Sequence, residues 1–297
     1  MLRPFVLSGA AWAARGLASN VIGTRSMRQG SHGPIGVFDS GVGGLTVLKA
    51  LMSRLPHEST VYLGDTARVP YGTKSGEVVT RYSLKNAEFL LERGIKLLVV
   101  ACNTASAVAL PALEAALPVP VVGVILPGAR AALSRTQGGG VGIIGTPGTI
   151  RSGAYQRALE AADPRVRSKA RACPLFVPLA EEGWTTGDVP LLVARDYLSE
   201  FTRDGVDTLV LGCTHYPLLK GVIAEVVGPQ VALVDSAEAT AEAVATLLEE
   251  RGGLASGTHG APSHAYYVTD VPERFMEVGA RFLGRPITAA EQVDLTF

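Results

Sequence analysis

The feature that most constrains this chain is a strand-like run that ends in small, turn-forming residues and passes straight into a helical stretch. Pro34–Phe38 leads into Asp39-Ser40-Gly41-Val42-Gly43-Gly44 and then a helical pattern to about Leu55. Thr60–Gly64 is a second short strand. Lys96–Ala101 leads into Cys102-Asn103-Thr104 and an Ala-rich helical stretch, and Val119–Val124 is β-branched. Strands alternating with helices predict a parallel, wound α/β sheet. In such sheets ligands sit beyond the carboxyl ends of the strands.

The pattern then restarts. Val141-Gly142-Ile143-Ile144-Gly145-Thr146 resembles Ile35-Gly36-Val37-Phe38-Asp39-Ser40. Leu209-Val210-Leu211-Gly212-Cys213-Thr214 resembles Val99-Val100-Ala101-Cys102-Asn103-Thr104. The interval from Asp39 to Cys102 nearly matches that from Gly145 to Cys213. Two pairs in one order predict two related α/β halves, each presenting a cysteine after a buried strand. The expected fold is therefore α/β: two pseudo-symmetric domains, each a mainly parallel sheet flanked by helices, with the active site in the cleft between them. The expected first domain is 34–128 plus 239–297, where a helix and the strand Ala265–Thr269 return to it. The second is 129–238, and Gln137–Gly140 is read as part of the junction.

Composition narrows the function classes. Of 297 residues, 47% are apolar, enough for a sizeable core. The 27 basic and 27 acidic side chains cancel, so no global field favours nucleic acid or an anionic membrane surface. No apolar run reaches the roughly 20 residues of a membrane helix. Three cysteines (Cys102, Cys173 and Cys213) are too few and too odd for a disulfide framework, and fit a reducing, cytoplasmic setting.

Residues 1–33 read as an extension. Before Asp39 there is no acid, but there are Arg3, Arg15, Arg25 and Arg28. The preferred expectation is an over-extended start, with Met27 the natural first residue. A targeting segment and a disordered or regulatory extension are the alternatives.

Cys102 and Cys213 each follow an apolar run and precede polar residues, Asn103-Thr104 and Thr214-His215. A thiol between a strand end and a helix meets backbone N–H groups and the positive end of a helix dipole, which predicts a favoured thiolate. Cys173, in Arg171-Ala172-Cys173-Pro174, fits a plain core residue. Zinc ligation would need a C-x-x-C or H-x-x-x-H pair, and neither occurs. Asp39-Ser40-Gly41-Val42-Gly43-Gly44 lacks the G-x-G-x-x-G spacing of a dinucleotide loop, and its acid would repel a pyrophosphate. No pyridoxal lysine motif is evident, so no cofactor and no metal are expected.

A two-base proton exchange uses both halves. Racemisation removes a proton from one face of a carbon and returns one to the other. It needs an acid and a base on opposite sides, each with a proton affinity near the working pH, and cysteine is close to that. Hydroxyls and amides at Ser40, Asn103, Thr104 and Thr214 suit carboxylates, and Asp39 suits an ammonium group. An isomerase for another small acid, a two-lobed binding protein and a Cys213-His215 hydrolase stay open on these residues alone.

Longer strings resemble the glutamate racemases of the aspartate/glutamate racemase superfamily. They are Phe38-Asp39-Ser40-Gly41-Val42-Gly43-Gly44-Leu45-Thr46-Val47, Tyr62-Leu63-Gly64-Asp65-Thr66-Ala67-Arg68-Val69-Pro70-Tyr71-Gly72, Ala101-Cys102-Asn103-Thr104-Ala105-Ser106-Ala107, Cys173-Pro174-Leu175-Phe176-Val177-Pro178-Leu179, Leu211-Gly212-Cys213-Thr214-His215-Tyr216-Pro217-Leu218-Leu219 and Tyr267-Val268-Thr269-Asp270. The resemblance implies that Cys102 deprotonates D-glutamate and Cys213 L-glutamate, assisted by Asp39 and His215 respectively. It implies substrate binding by Asp39, Ser40, Tyr71, Gly72, Asn103, Thr104, Thr214 and His215, with Asp65 and an acid at Glu181 or Glu182 as further site residues. It implies no cofactor, a role supplying D-glutamate for peptidoglycan, and a homodimer as a common state of the family.

Overall fold

A computed structural model describes residues 33–257 and 260–295. The expectations for the N-terminal stretch, including a start at Met27, lie outside the described residues.

The first sheet forms where apolar, β-branched runs can be buried on both faces. Its strands are β1 (Ile35–Asp39), β2 (Thr60–Gly64), β3 (Leu97–Val100) and β4 (Val121–Gly123). The first three are buried along their whole length, as a parallel sheet covered by helices requires. The second sheet holds β5 (Val141–Gly145), β6 (Ser168–Ala172), β7 (Thr208–Gly212) and β8 (Ala232–Asp235). The chain then returns to the first sheet with β9 (His264–Val268) beside β2, and β10 (Glu291–Gln292) at the edge.

The strand orders are β10-β9-β2-β1-β3-β4 and β6-β5-β7-β8, and every pairing is parallel. The block β2-β1-β3-β4 repeats as β6-β5-β7-β8, so the repeat seen in the sequence is a repeat of topology. Register repeats too: Phe38 faces Val100, and Ile144 faces Leu211. Just past the strand ends, the Asp65 N–H donates to the Asp39 carbonyl at 3.0 Å, and the Cys173 N–H donates to the Gly145 carbonyl at 2.9 Å. Cys173 thus occupies in the second half the place that Asp65 occupies in the first.

Three apolar clusters hold the layers. One lies under Phe38, Leu90 and Val100, and one gathers Ile143, Tyr155 and Val210. The largest runs from Ile35 and Leu45 through Leu211 and Tyr216 to Phe275 and Phe282, joining both halves. Burying each such side chain contributes roughly 1.5–3 kcal/mol. Helix Leu45–Arg54 packs between helices Ser236–Glu250 and Pro272–Leu283. Helix Ser236–Glu250 starts cleanly because the Asp235 carboxylate accepts the Ala237 N–H at 2.9 Å. No helix among the described residues is long and apolar enough to cross a membrane.

Candidate active site

The carboxyl ends of β1, β3 and β7 bring Asp39, Cys102, Asn103, Thr104, Cys213, Thr214 and His215 into one buried cluster. On the first half, Asp39 ends β1 and is fully buried. Its Oδ2 accepts the Gly41 N–H at 2.9 Å, and its Oδ1 accepts the Thr214 hydroxyl from the second half at 3.5 Å. Burial raises its pKa, and the charge of His215 with the Gly41 and Gly44 backbone bonds offsets only part of this.

Cys102 follows β3 and is the N-cap residue of helix Asn103–Val108. The sequence predicts a favoured thiolate here, and the structure corrects this. Burial and then the neighbouring Asp39 push the thiol up to about 12, against hydrogen bonds to the Ala105 backbone and Ser40 side chain. A helix of one and a half turns cannot outweigh removal of the sulfur from water. Cys213 is near enough for its charge to act on Cys102 in the same direction.

On the second half, Cys213 follows β7, but a 3₁₀ turn over Tyr216–Leu219 separates it from the next helix, Lys220–Val227. Its charge partner is a side chain rather than a helix end. Cys213 Sγ lies 3.8 Å from His215 Nδ1, and His215 Nε2 lies 2.9 Å from Glu181 Oε1. Burial would lower the His215 pKa, but the bonds to Cys213 and Glu181 prevail and hold it up to about 10. The same bond from His215 holds Glu181 below its ordinary range. Glu182 instead points to Arg274 at 3.5 Å on the exposed surface. Of the two acids the sequence left open, Glu181 is the one that reaches the cluster.

Two glycines let the halves meet. A Cβ at Gly43 would lie 2.3 Å from Thr214 Oγ1 and 2.5 Å from His215 Nδ1. A Cβ at Gly72 would lie 2.6 Å from Thr146 Cβ. Beside Gly72, three hydroxyls close a triangle across the cleft: Thr104 to Thr146 at 2.9 Å, Thr104 to Thr149 at 3.2 Å, and Thr146 to Thr149 at 3.1 Å. Asn103 Oδ1 accepts the Tyr155 hydroxyl at 2.7 Å, while its buried Nδ2 has no protein partner. A buried amide donor left open in this way is suited to an anionic ligand group.

Two predicted residues stand one layer back. The Asp65 carboxylate is fully buried and already accepts from the Tyr71 hydroxyl, from Arg68 at 3.3 Å and from Thr269 at 3.0 Å. The Tyr71 hydroxyl also receives Asn86 Nδ2 at 3.1 Å, so its phenol is engaged by Asp65 and Asn86. Thr146, Thr149 and Tyr155 contact the predicted residues but are not among them. The match of Gly145-Thr146 to Asp39-Ser40 was the signal for Thr146, since equivalent strand ends present equivalent side chains. Among the described residues, no group of three or more His, Cys, Asp or Glu is placed to hold a metal ion.

Residues 44–244 match the family model described as Asp/Glu/Hydantoin racemase. The chain belongs to that family. Within it, the chain groups with the glutamate racemases, and it is an isomerase of the amino-acid racemase class. It is 62% identical over 262 residues to a glutamate racemase of Geobacter metallireducens, covering 88% of this chain and 96% of that one. Among solved structures, it resembles the Francisella tularensis glutamate racemase in complex with D-glutamate, with TM-score 0.83 and 41% identity over 89% of this chain and 98% of that one. It also resembles the Thermus thermophilus glutamate racemase in complex with β-chloro-D-alanine, with TM-score 0.81 and 51% identity over 89% and 98% of the two chains. The two-domain α/β architecture expected from the repeat agrees with these structures.

Proposed function

We propose that this racemase interconverts L- and D-glutamate by proton transfer between Cys102 and Cys213, without a cofactor. The observation that carries this is the pair of thiols at equivalent strand ends of the two halves, sharing one buried cluster. A substrate held between them would meet one sulfur on each face of its α-carbon. From D-glutamate, Cys102 takes the α-proton and Cys213 gives one to the opposite face; from L-glutamate the roles exchange.

The surrounding charges support the reading. Burial and Asp39 keep Cys102 a thiol, ready to act as acid. A substrate ammonium beside Asp39 would add the positive charge that favours the thiolate, so the base would form as substrate binds. At Cys213, the neighbouring group is the His215 ring, and Glu181 fixes that ring by its other nitrogen. Ser40, Asn103, Thr104 and Thr214, with the backbone at Tyr71-Gly72, are the groups proposed to hold the two carboxylates. Asp65 is assigned to bracing Tyr71.

The same reading assigns D-glutamate to peptidoglycan synthesis, places the protein in the cytoplasm and includes a homodimer. It divides the chain into 34–128 with 239–297, and 129–238. Helices Ile125–Arg135 and Ser236–Glu250 run across the two boundaries.

Incubation with L-glutamate in heavy water, with no added cofactor, tests the reaction. D-glutamate carrying deuterium at the α-carbon is expected. Absence of both exchange and D-glutamate overturns the proposal.

A further inference from the structure

Helix Pro272–Leu283 comes from the C-terminal part of the chain and carries none of the residues assigned above. Phe275 and Phe282 stand two turns apart on its buried face. They reach different sides of the site. The Phe275 ring lies 5.8 Å from that of Tyr62, whose hydroxyl donates to the Gly41 carbonyl at 2.8 Å beside Asp39. The Phe282 ring lies 5.1 Å from the His215 ring at an interplanar angle of 77°. Next to it, Arg281 Nη1 donates to the Glu181 carbonyl at 2.5 Å.

We propose that Phe282, seconded by Arg281, is a positioning residue that holds His215 and Glu181 in line with Cys213. The proposal rests on the reading of Cys213 and His215 as one acid–base arm. His215 is held at its two ring nitrogens, by Cys213 at 3.8 Å and Glu181 at 2.9 Å. A ring pinned at two points can still rock about the line joining them. An edge-to-face aromatic neighbour opposes that motion, and Phe282 is held against the ring at 2% exposure. Such rocking turns the ring's N–H directions out of line with Sγ and Oε1, and the 3.8 Å sulfur contact is the weaker of the two. Misalignments of this kind are costly in a proton-transfer geometry. Arg281 holds the Glu181 backbone, which keeps the second pin in place.

Phe282→Leu keeps apolar volume and removes the ring. The expected result is an unchanged KM for glutamate and a kcat lower by about threefold to tenfold, the factor an aromatic pair supplies. The His215 titration, followed by NMR of histidine-labelled protein, is expected to move down toward that of a free imidazole as its bonds loosen. Phe282→Tyr should restore most of both. Phe275→Leu, on the same helix but against Tyr62, should leave the His215 titration in place. A wild-type kcat and titration in Phe282→Leu overturn the proposal, as does a fall in kcat with His215 unmoved. If Phe282→Leu does not fold, Arg281→Ala at an exposed position carries the test, and an unmoved His215 titration overturns it. Failure of the wild-type protein to racemise glutamate would remove the reaction, while the NMR comparison would still report whether Phe282 fixes His215.

Discussion

His215 and Glu181 are joined by a 2.9 Å bond from imidazole Nε2 to carboxylate Oε1, while Nδ1 of the same ring faces Cys213. The bonds to Cys213 and to this carboxylate together let a buried imidazole keep its proton against the cost of burial. At Cys102, burial and then the charge of Asp39 oppose ionisation of the thiol, and Cys213 acts in the same direction.

Glu181→Gln keeps the shape of this contact and removes its charge. His215 has a raised pKa, so its imidazolium is present at neutral pH and is lost as pH rises through about 10. Without the carboxylate, the alkaline limb of the kcat/KM profile should move down by about one pH unit, the equivalent of one charge-assisted hydrogen bond. Glu182→Gln, at an exposed residue paired with Arg274, should leave the profile where it is. Rate measurements from pH 6 to about 11 on both variants check this.

Cys102→Ala and Cys213→Ala should each lower racemisation by about 10²–10⁴-fold or more, the usual contribution of one positioned acid or base. The remaining cysteine should still exchange the α-proton of one enantiomer with solvent. Cys102→Ala is expected to keep exchange with L-glutamate, and Cys213→Ala with D-glutamate. Deuterium uptake measured for each enantiomer separately decides it. Cys173→Ala should retain kcat, since Cys173 is buried behind the cluster with its carbonyl bonded to Tyr216.

Gly72→Ala would place a methyl 2.6 Å from Thr146 Cβ, an atom tied to a helix start that cannot swing aside. The halves must part locally. The expected cost is about 1–3 kcal/mol of stability, with a kcat/KM loss of at least about tenfold. Thermal unfolding and steady-state kinetics measure the two effects. Thr146→Gly should relieve part of the clash, and a double-mutant cycle should show coupling between the two positions.

The strands were legible because buried parallel strands are written as continuous apolar runs, and the cysteines because they end such runs. The repeat of Asp39-Ser40 as Gly145-Thr146 was legible as well, and the matching strand orders explain it. What the chain could not show was tertiary choice. Nothing local separates Glu181 from Glu182; only the docking of helix Phe176–Glu181 against the Tyr216–Leu219 turn decides which one meets His215. The thiolate expected at Cys102 failed for a similar reason. A helix N-terminus can be read from sequence, but the depth at which it is buried cannot. Phe282 lies about seventy residues from His215 in the chain, and no periodicity links them.

Asp39 brings stability and function into opposition. Its pKa is raised in the folded state, chiefly by burial. A carboxyl with a folded pKa above its unfolded value of 3.8 favours the fold when protonated, and that benefit is lost as pH rises through the folded value. At neutral pH the ionised Asp39 is therefore a cost carried by the native state. Asn at this position would keep an acceptor for the Gly41 N–H and would carry no charge. Asp39→Asn should raise the melting temperature at pH 7 by about 2–4 °C for each kcal/mol relieved. The gain should shrink as pH is lowered, because the wild-type carboxyl then protonates too. The same change should slow racemisation strongly, since the group proposed to meet the substrate ammonium is gone. Melting curves at pH 7 and at about pH 4, set beside rates at pH 7, test both sides. A variant that melts lower than wild type at pH 7 would mean that the Gly41, Gly44 and Thr214 bonds to the carboxylate outweigh its burial.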